Sequence, residues 1–458
     1  MKYHFIYPDI RTGYYPSTHH GLAQLFAILK ANKHEVSLHH VKKEPKQIEI
    51  ISRVKDESPD IVGFTTMTNQ VKYVELWSRW IKQVYNIPIV CGGVHATLNP
   101  EEILAIPSVD MVCVGEGDRA IIDRHFGTKK NGSIVKSMPY PLVQSLDELP
   151  FPDYSLFDCG NMLKARNGDF AVMVSRGCPY SCYYCCNSAL RERQNGLGKY
   201  FRYRSVKNTL EMLIVLLANY PIRSFSFADD IFGIDKEWVY EFCESYPRII
   251  GLPFSCNLRV ETASLELLEA LKTANCIEVE MGIESGSYWM RREVLNRSMS
   301  NQKIIDAFEN AHRLGIRTRA YNMIGLPYET PDMVRETISL NKCVSPDDVA
   351  VFYFFPYRGT RLHDVCQEEG FLTGKQATGY VAESILKLPT ISVKELKDLH
   401  DEFYRYIVMR KSRLYGAFLG SLLRCIGVLL RLITFGNEIK IMEWGYLRLF
   451  PLFQKLRR

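Results

Sequence analysis

With 458 residues the chain is too long for one ordinary domain and long enough for two or three units of about 100 to 200 residues each. Hydrophobic residues make up 47% and charged residues 24%, a balance that excludes a disordered or fibrous chain. The net charge of +6 sits at the end: residues 411 to 458 hold nine Lys or Arg against Glu438 and Glu443. The remainder is nearly neutral, so no whole-chain basic surface for nucleic acid is expected.

The start, MKYHFIYPDI, alternates like a first strand. It lacks the basic start, long apolar stretch and small-residue cleavage site of a secretory signal. The 13 cysteines are odd in number and scattered, unlike the framework of a small secreted domain. Both observations place the protein in the cytoplasm. From Tyr3 to about Phe126 the runs YHFIY, EVSLHH, DIVGF, PIVCGG and DMVCVG predict five short strands, with helices near 18–31, 46–55, 70–85 and 99–105. Alternating strands and helices predict a doubly wound, Rossmann-like parallel sheet over residues 1–137, with ligands beyond the C-terminal strand ends. No GxGxxG follows the first strand, which argues against a dinucleotide.

Residues 138–160 contain four prolines between Met138 and Phe157 and predict a linker. Over 161–390 a second alternation, FAVMVS, RSFSFA, FSCNL, EVEMGI, TRAYNMIG and VAVFYFF, predicts six strands of a partial (β/α)6, TIM-like barrel with its functional groups at the strand C-terminal ends. Residues 391–458 predict a helical, basic end. Within it, Arg424 and Arg431 interrupt the apolar stretch Tyr415–Gly436 and argue against a membrane span, since each costs about 2.5 to 3.5 kcal/mol on insertion scales. On a continuous helix Arg413, Arg424 and Arg431 form one basic stripe beside an apolar face, either a cover for the barrel or a contact with an anionic membrane surface.

Directly after FAVMVS stands SRGCPYSCYYCCN, with Cys178, Cys182 and Cys185 in CxxxCxxC spacing. Thiolates hold iron-sulfur clusters, and a compact loop wraps one face of a cubane. Three ligands leave one iron open, as an open position marks a catalytic metal site. A zinc site recruiting Cys186, and buried unligated thiols, are the competing readings; no partner CxxC or His pair follows, and adjacent cysteines are expected to point apart.

This loop, including the aromatic Tyr184 before the third cysteine, resembles the radical S-adenosylmethionine superfamily. The resemblance implies a 4Fe-4S cluster on the three cysteines, with S-adenosylmethionine on the open iron cleaved by one electron to methionine and a 5′-deoxyadenosyl radical. It places cofactor contacts at the strand ends: Asp229 and Asp230, Asn257 and Arg259, Glu284 in MGIESG, and Gly325 in MIGLP. Arg204 and Ser205 in RYRS resemble a further family element. The alternatives for these residues are helix caps and plain turns.

The first domain's strand ends TTMTN, GGVHAT and GEGD, with the linker LPFPDYSLFD, resemble the cobalamin-binding domain of the cobalamin-dependent radical S-adenosylmethionine enzymes over about residues 1–390. No DxHxxG histidine motif is present; DRHFG at 123–127 has the wrong spacing. The resemblance therefore implies cobalamin with its base detached, among Thr65, Gly92, Gly93, His95, Glu116 and Gly117, without a histidine ligand. It implies methyl transfer to an unactivated carbon or phosphorus. A radical cyclase, oxidase or rearrangement enzyme is the second reading and a non-enzymatic cofactor sensor the third. The substrate is expected to be a small molecule, lipid-like molecule or peptide, and the electron donor a flavodoxin or ferredoxin. No residue is assigned as a catalytic group.

Overall fold

The computed structural model describes residues 1–10, 16–130, 133–135, 139–375 and 383–411. Residues 412–458, with the apolar stretch and the Arg413, Arg424 and Arg431 stripe discussed above, lie outside the described residues. Among the described residues no helix is long and apolar enough to cross a membrane.

Strands β1 (Lys2–Pro8), β2 (Glu35–Val41), β3 (Ile61–Thr65), β4 (Ile89–Gly92) and β5 (Met111–Val112) form a parallel sheet in the order β2-β1-β3-β4-β5. The strands fall where expected. The sheet continues beyond them with an antiparallel pair, β6 (Gly127–Lys130) and β7 (Ser133–Val135). That hairpin was not predicted, although Asn131–Gly132 is a hairpin signal in the sequence.

Period-two alternation sends β1 side chains to both faces, and helices cover both. Helix α1 (His20–Ala31) sets Leu22 and Phe26 against Tyr3 and Phe5 on one face. Helices α2 (Gln47–Glu57) and α3 (Val71–Lys82) set Ile50, Val54, Val74 and Trp77 against Ile6, Val62 and Phe64 on the other. Each such fully buried side chain contributes about 1.5 to 3 kcal/mol. Chain order reverses between β1 and β3, and the crevice at that switch point is where open sheets bind ligands.

The second sheet has six parallel strands in the order β15-β14-β13-β12-β11-β8, unclosed because β8 and β15 are both edges. They are β8 (Asp169–Val172), β11 (Ser224–Phe227), β12 (Phe254–Leu258), β13 (Cys276–Glu284), β14 (Arg317–Ile324) and β15 (Asp348–Tyr353); a short antiparallel pair, β9 (Ser175–Arg176) and β10 (Arg202–Tyr203), lies beside β8. Alternation again decides the faces. Phe225, Phe227, Phe254, Val279 and Met281 are buried outward in the main core. Ser226, Ser255, Glu280, Arg319 and Tyr321 line the half-buried concave side, where Arg319 pairs with Glu278, Glu280 and Asp348 at 3.2 to 3.4 Å. The helix Val393–Lys411 packs Leu396, Leu399 and Phe403 against Val351 and Tyr353.

Candidate active site at the domain junction

The cysteine loop leaves the C-terminal end of β8 through β9. Gly177 has φ +82° and a Cβ there would lie 2.7 Å from Tyr200 O, so the turn that aims Cys178 requires glycine. Cys178 and Cys182 are buried, and Cys185 precedes the helix Cys186–Arg193. Arg259, just past β12, donates from Nη1 to Cys182 Sγ at 3.2 Å, and its guanidinium stacks 3.7 Å over Tyr180. Glu261 holds Arg259 at 2.5 Å and faces Arg297 at 3.7 Å; Arg297 pairs with Glu284 at 2.8 Å, and Tyr184 donates to Glu284 at 2.9 Å. Arg259, Glu284 and Tyr184 thus form one chain of contacts that ends on a cysteine sulfur. Burial pushes the Glu284 carboxyl up, and the charge of Arg297 opposes it.

Among the described residues, no three His, Cys, Asp or Glu side chains gather on a single ion. A cubane instead takes one thiolate on each of several irons, and the thiol-only donor set of this loop suits iron-sulfur chemistry. The expectation that Cys185 and Cys186 point apart is not met: the Cys186 thiol lies beside that of Cys185 and holds it below the usual thiol range.

The strand-end carboxylates divide. Asp229 is buried, and its Oδ1 accepts from Val174 N at 2.9 Å and from Ser175 N and Oγ at 2.5 Å, while Oδ2 has no partner. Burial pushes it up to about 7. It fastens β11 to the chain leaving β8. Asp230 instead faces the cavity described below, beside Asn187. Asn257 donates to Asp229 O at 3.0 Å.

Three other expected cofactor contacts have partners within the chain. Ser205 caps the helix Val206–Asn219, accepting from Asn208 N at 3.1 Å. Arg204, although on the cavity wall, spends its fork on Asn208 Oδ1, Gln24 Oε1 and the Leu149 and Pro150 carbonyls at 2.7 to 3.3 Å, fastening linker and α1 to the barrel. Gly325 donates its N–H to the buried Glu329 carboxylate in the turn after β14.

Between the two sheets lies a cavity of about 380 Å³. The first domain contributes Thr65, Gly92, Gly93 and Gly117 from its strand ends; the barrel side contributes Gly177, Asn187, Gln194, Tyr200 and Asp230. The switch-point crevice therefore opens toward the cysteine loop. Gly93 has φ +100° and a Cβ would lie 2.8 Å from Thr66 backbone atoms, whereas one on Gly92 would meet only Cys113 Cβ at 3.6 Å. Gly93 is demanded by the fold itself.

Of the expected cavity contacts, His95 is corrected and Glu116 is found with its carboxylate paired. His95 is buried outside the cavity lining, with Nδ1 3.1 Å from Thr68 Oγ1 and Nε2 3.5 Å from Glu102, because the helix Val94–Leu98 turns it inward. Glu116 lines the cavity, but its carboxylate is committed to Arg202 and, at 3.1 Å, to Arg176. Sequence reading missed His19, which caps α1. Leu22 N donates to its Nδ1 at 3.1 Å, so Nε2 carries the proton and donates to Thr65 Oγ1 at 3.2 Å. Burial holds it neutral, down to about 4. Both of its nitrogens are thus committed within the chain. Its signal was a histidine at the N-cap position, a place more often held by Ser, Thr, Asp or Asn.

The residues present fit both groups: a thiol-only loop for a cluster, and a glycine-lined cavity with one orphaned amide oxygen, Gln194 Oε1, for an amide-rich corrinoid. Fold and site define an enzyme that joins a corrinoid-binding sheet to a half-barrel bearing an iron-sulfur loop.

Residues 10–123 match the B12 binding domain and residues 172–340 the Radical SAM superfamily. The chain is 28% identical over 410 residues to an uncharacterized methyltransferase of Pyrococcus horikoshii, covering 85% of this chain and 87% of that one. It is 24% identical to an anaerobic magnesium-protoporphyrin IX monomethyl ester cyclase of Rubrivivax gelatinosus, covering 87% and 75%. Its fold is that of the radical S-adenosylmethionine methyltransferase TsrM from Kitasatospora setae, with cobalamin and a [4Fe-4S] cluster bound, at TM-score 0.67, 15% identity and coverage of 86% and 84%. The chain belongs to the cobalamin-dependent radical S-adenosylmethionine enzymes.

Proposed function

We propose that this enzyme transfers a methyl group to an unactivated carbon, or phosphorus, of a small-molecule substrate. The observation that carries the reading is a cavity lined both by the first domain's strand ends and by Gly177 and Asn187, which flank the three cysteines, so that the two cofactor sites border one space. When bound, the cluster with S-adenosylmethionine supplies a radical able to remove hydrogen from carbon, and the corrinoid supplies the methyl group. The chain's own part is position and exclusion of water.

Cys178, Cys182 and Cys185 would hold the cluster. Arg259 keeps a positive charge and an N–H on the Cys182 sulfur, and Glu261 and Arg297 fix that guanidinium in place. Asp230, facing the cavity beside Asn187, is the carboxylate available to a cationic group. Thr65, Gly92, Gly93 and Gly117 would back the corrinoid, held with its base detached and without a histidine on cobalt; the commitment of both His19 nitrogens within the chain agrees with that for His19. The electron would come from a small donor of the flavodoxin or ferredoxin kind.

The similarity to a cyclase favours a second reading, radical chemistry on the same scaffold without methyl transfer. Mass spectrometry of products after anaerobic turnover with candidate substrates separates the two. One added methyl, with both 5′-deoxyadenosine and S-adenosylhomocysteine, is the result expected. Deoxyadenosine with an unmethylated product overturns methyl transfer.

A further inference from the structure

The segment that carries the three cysteines is gripped at both ends by the cavity wall. At its start Arg176, two residues before Cys178, forks onto Asp118 at 2.5 and 2.9 Å and reaches Glu116 at 3.1 Å. Asp118 is 5% exposed, and the pair joins the first domain's GEGD turn to β9. At the far end Gln194 caps the helix Cys186–Arg193. Its Nε2 donates to Leu190 O at 3.2 Å, but its Oε1 is buried on the cavity wall with no hydrogen-bond partner. The residue is 5% exposed.

A buried amide oxygen is costly unless something donates to it. Among the described residues nothing does so. The rim of a corrinoid carries primary amides, whose N–H groups are donors of the required kind. The cysteine-bearing segment therefore has one end tied to the first domain by charge and the other offering an acceptor to whatever fills the cavity.

We propose that Gln194 is a corrinoid-holding residue supplied by the barrel, so that filling the cavity and fixing the segment 176–194 are energetically coupled. This rests on the cobalamin reading above. Coupling is reciprocal: a loaded cluster, by ordering the same segment, tightens corrinoid binding by the same factor that the corrinoid tightens the cluster.

The test is a visible-absorption titration of the full chain with hydroxocobalamin, under anaerobic conditions, before and after cluster reconstitution. Wild type is expected to bind about five-fold or more tightly once the cluster is loaded, the lower range of allosteric factors. Gln194→Leu is expected to bind about three- to ten-fold more weakly, the worth of one hydrogen bond, and to lose most of the cluster dependence. Its iron content and cofactor-free melting temperature should match wild type, because Leu190 O, which loses the Gln194 Nε2–H, still accepts from Gln194 N at 3.1 Å. Gln194→Met, a linear side chain of similar length, carries the same test should the branched chain prevent folding. Wild-type affinity in the variant, or wild-type binding indifferent to the cluster, overturns the proposal. Wild type that binds no hydroxocobalamin at all overturns the cofactor reading and this inference with it.

Discussion

Replacing Glu329 by Gln should stabilise the protein at alkaline pH and leave it nearly unchanged at mildly acid pH. Glu329 is fully buried in the turn after β14, its Oε2 accepting from Gly325 N at 2.5 Å and Leu326 N at 3.2 Å, its Oε1 without a partner. Among the described residues no cation faces it, and burial pushes its carboxyl from 4.5 up to about 8. Below the unfolded value the group is protonated in both states and costs nothing. As pH rises toward 8 the unfolded chain releases the proton while the folded chain keeps it, so stability falls through that interval and levels off above it. At about 1.4 kcal/mol per pH unit the ceiling is on the order of 5 kcal/mol, and relaxation around the charge brings the expected gain to a few. Gln keeps the acceptor for both backbone N–H groups and carries no charge. Thermal melts of both full-length proteins at pH 5 and pH 8.5 give the answer by difference, because Asp229 and the buried histidines contribute equally to each. A variant less stable by the same margin at both pH values would show that the carboxylate is ionised in the fold.

Three further outcomes are expected. Ser205→Ala should cost about 1 kcal/mol as a lost helix cap and leave S-adenosylmethionine cleavage intact, measured by melting and by deoxyadenosine release; lost cleavage in a folded variant would restore Ser205 as a cofactor contact. Gly92→Ala should fold normally, whereas Gly93→Ala should lower the melting temperature even without corrinoid, since its backbone is left-handed and its Cβ would meet Thr66; equal effects of the two would refute that division. Cys178→Ala, Cys182→Ala and Cys185→Ala should each abolish cluster binding, read as iron content and visible absorbance after anaerobic reconstitution. Cys186→Ala should retain it, and the thiol contact between Cys185 and Cys186 makes that variant the sharper test of the three-ligand assignment.

Both sheets and the cysteine loop were legible because their signals are local. Strand alternation, helix periodicity and CxxxCxxC each lie within a dozen residues, and parallel strands joined by helices leave few ways to assemble. The hairpin β6–β7 was equally local in its Asn131–Gly132 signal, but its strands are too short for alternation to stand out.

The strand-end residues were placed correctly at the C-terminal ends, yet their roles depended on partners far away in sequence. Whether Arg204 faces a cofactor or a linker carbonyl is settled by Pro150 and Gln24 arriving beside it. Whether Glu116 is free for a ligand is settled by Arg202, 86 positions on. His95 left the cavity through one short helix, and His19 entered it by capping another. Sequence alone determined the architecture and the chemistry of the cysteine loop, since local backbone preference and donor type are properties of neighbouring residues. Only the tertiary structure decided which polar groups are already satisfied and which, like Gln194 Oε1, still need a partner. Hydrogen-bond satisfaction is a property of whole neighbourhoods, and those exist only once the chain has folded.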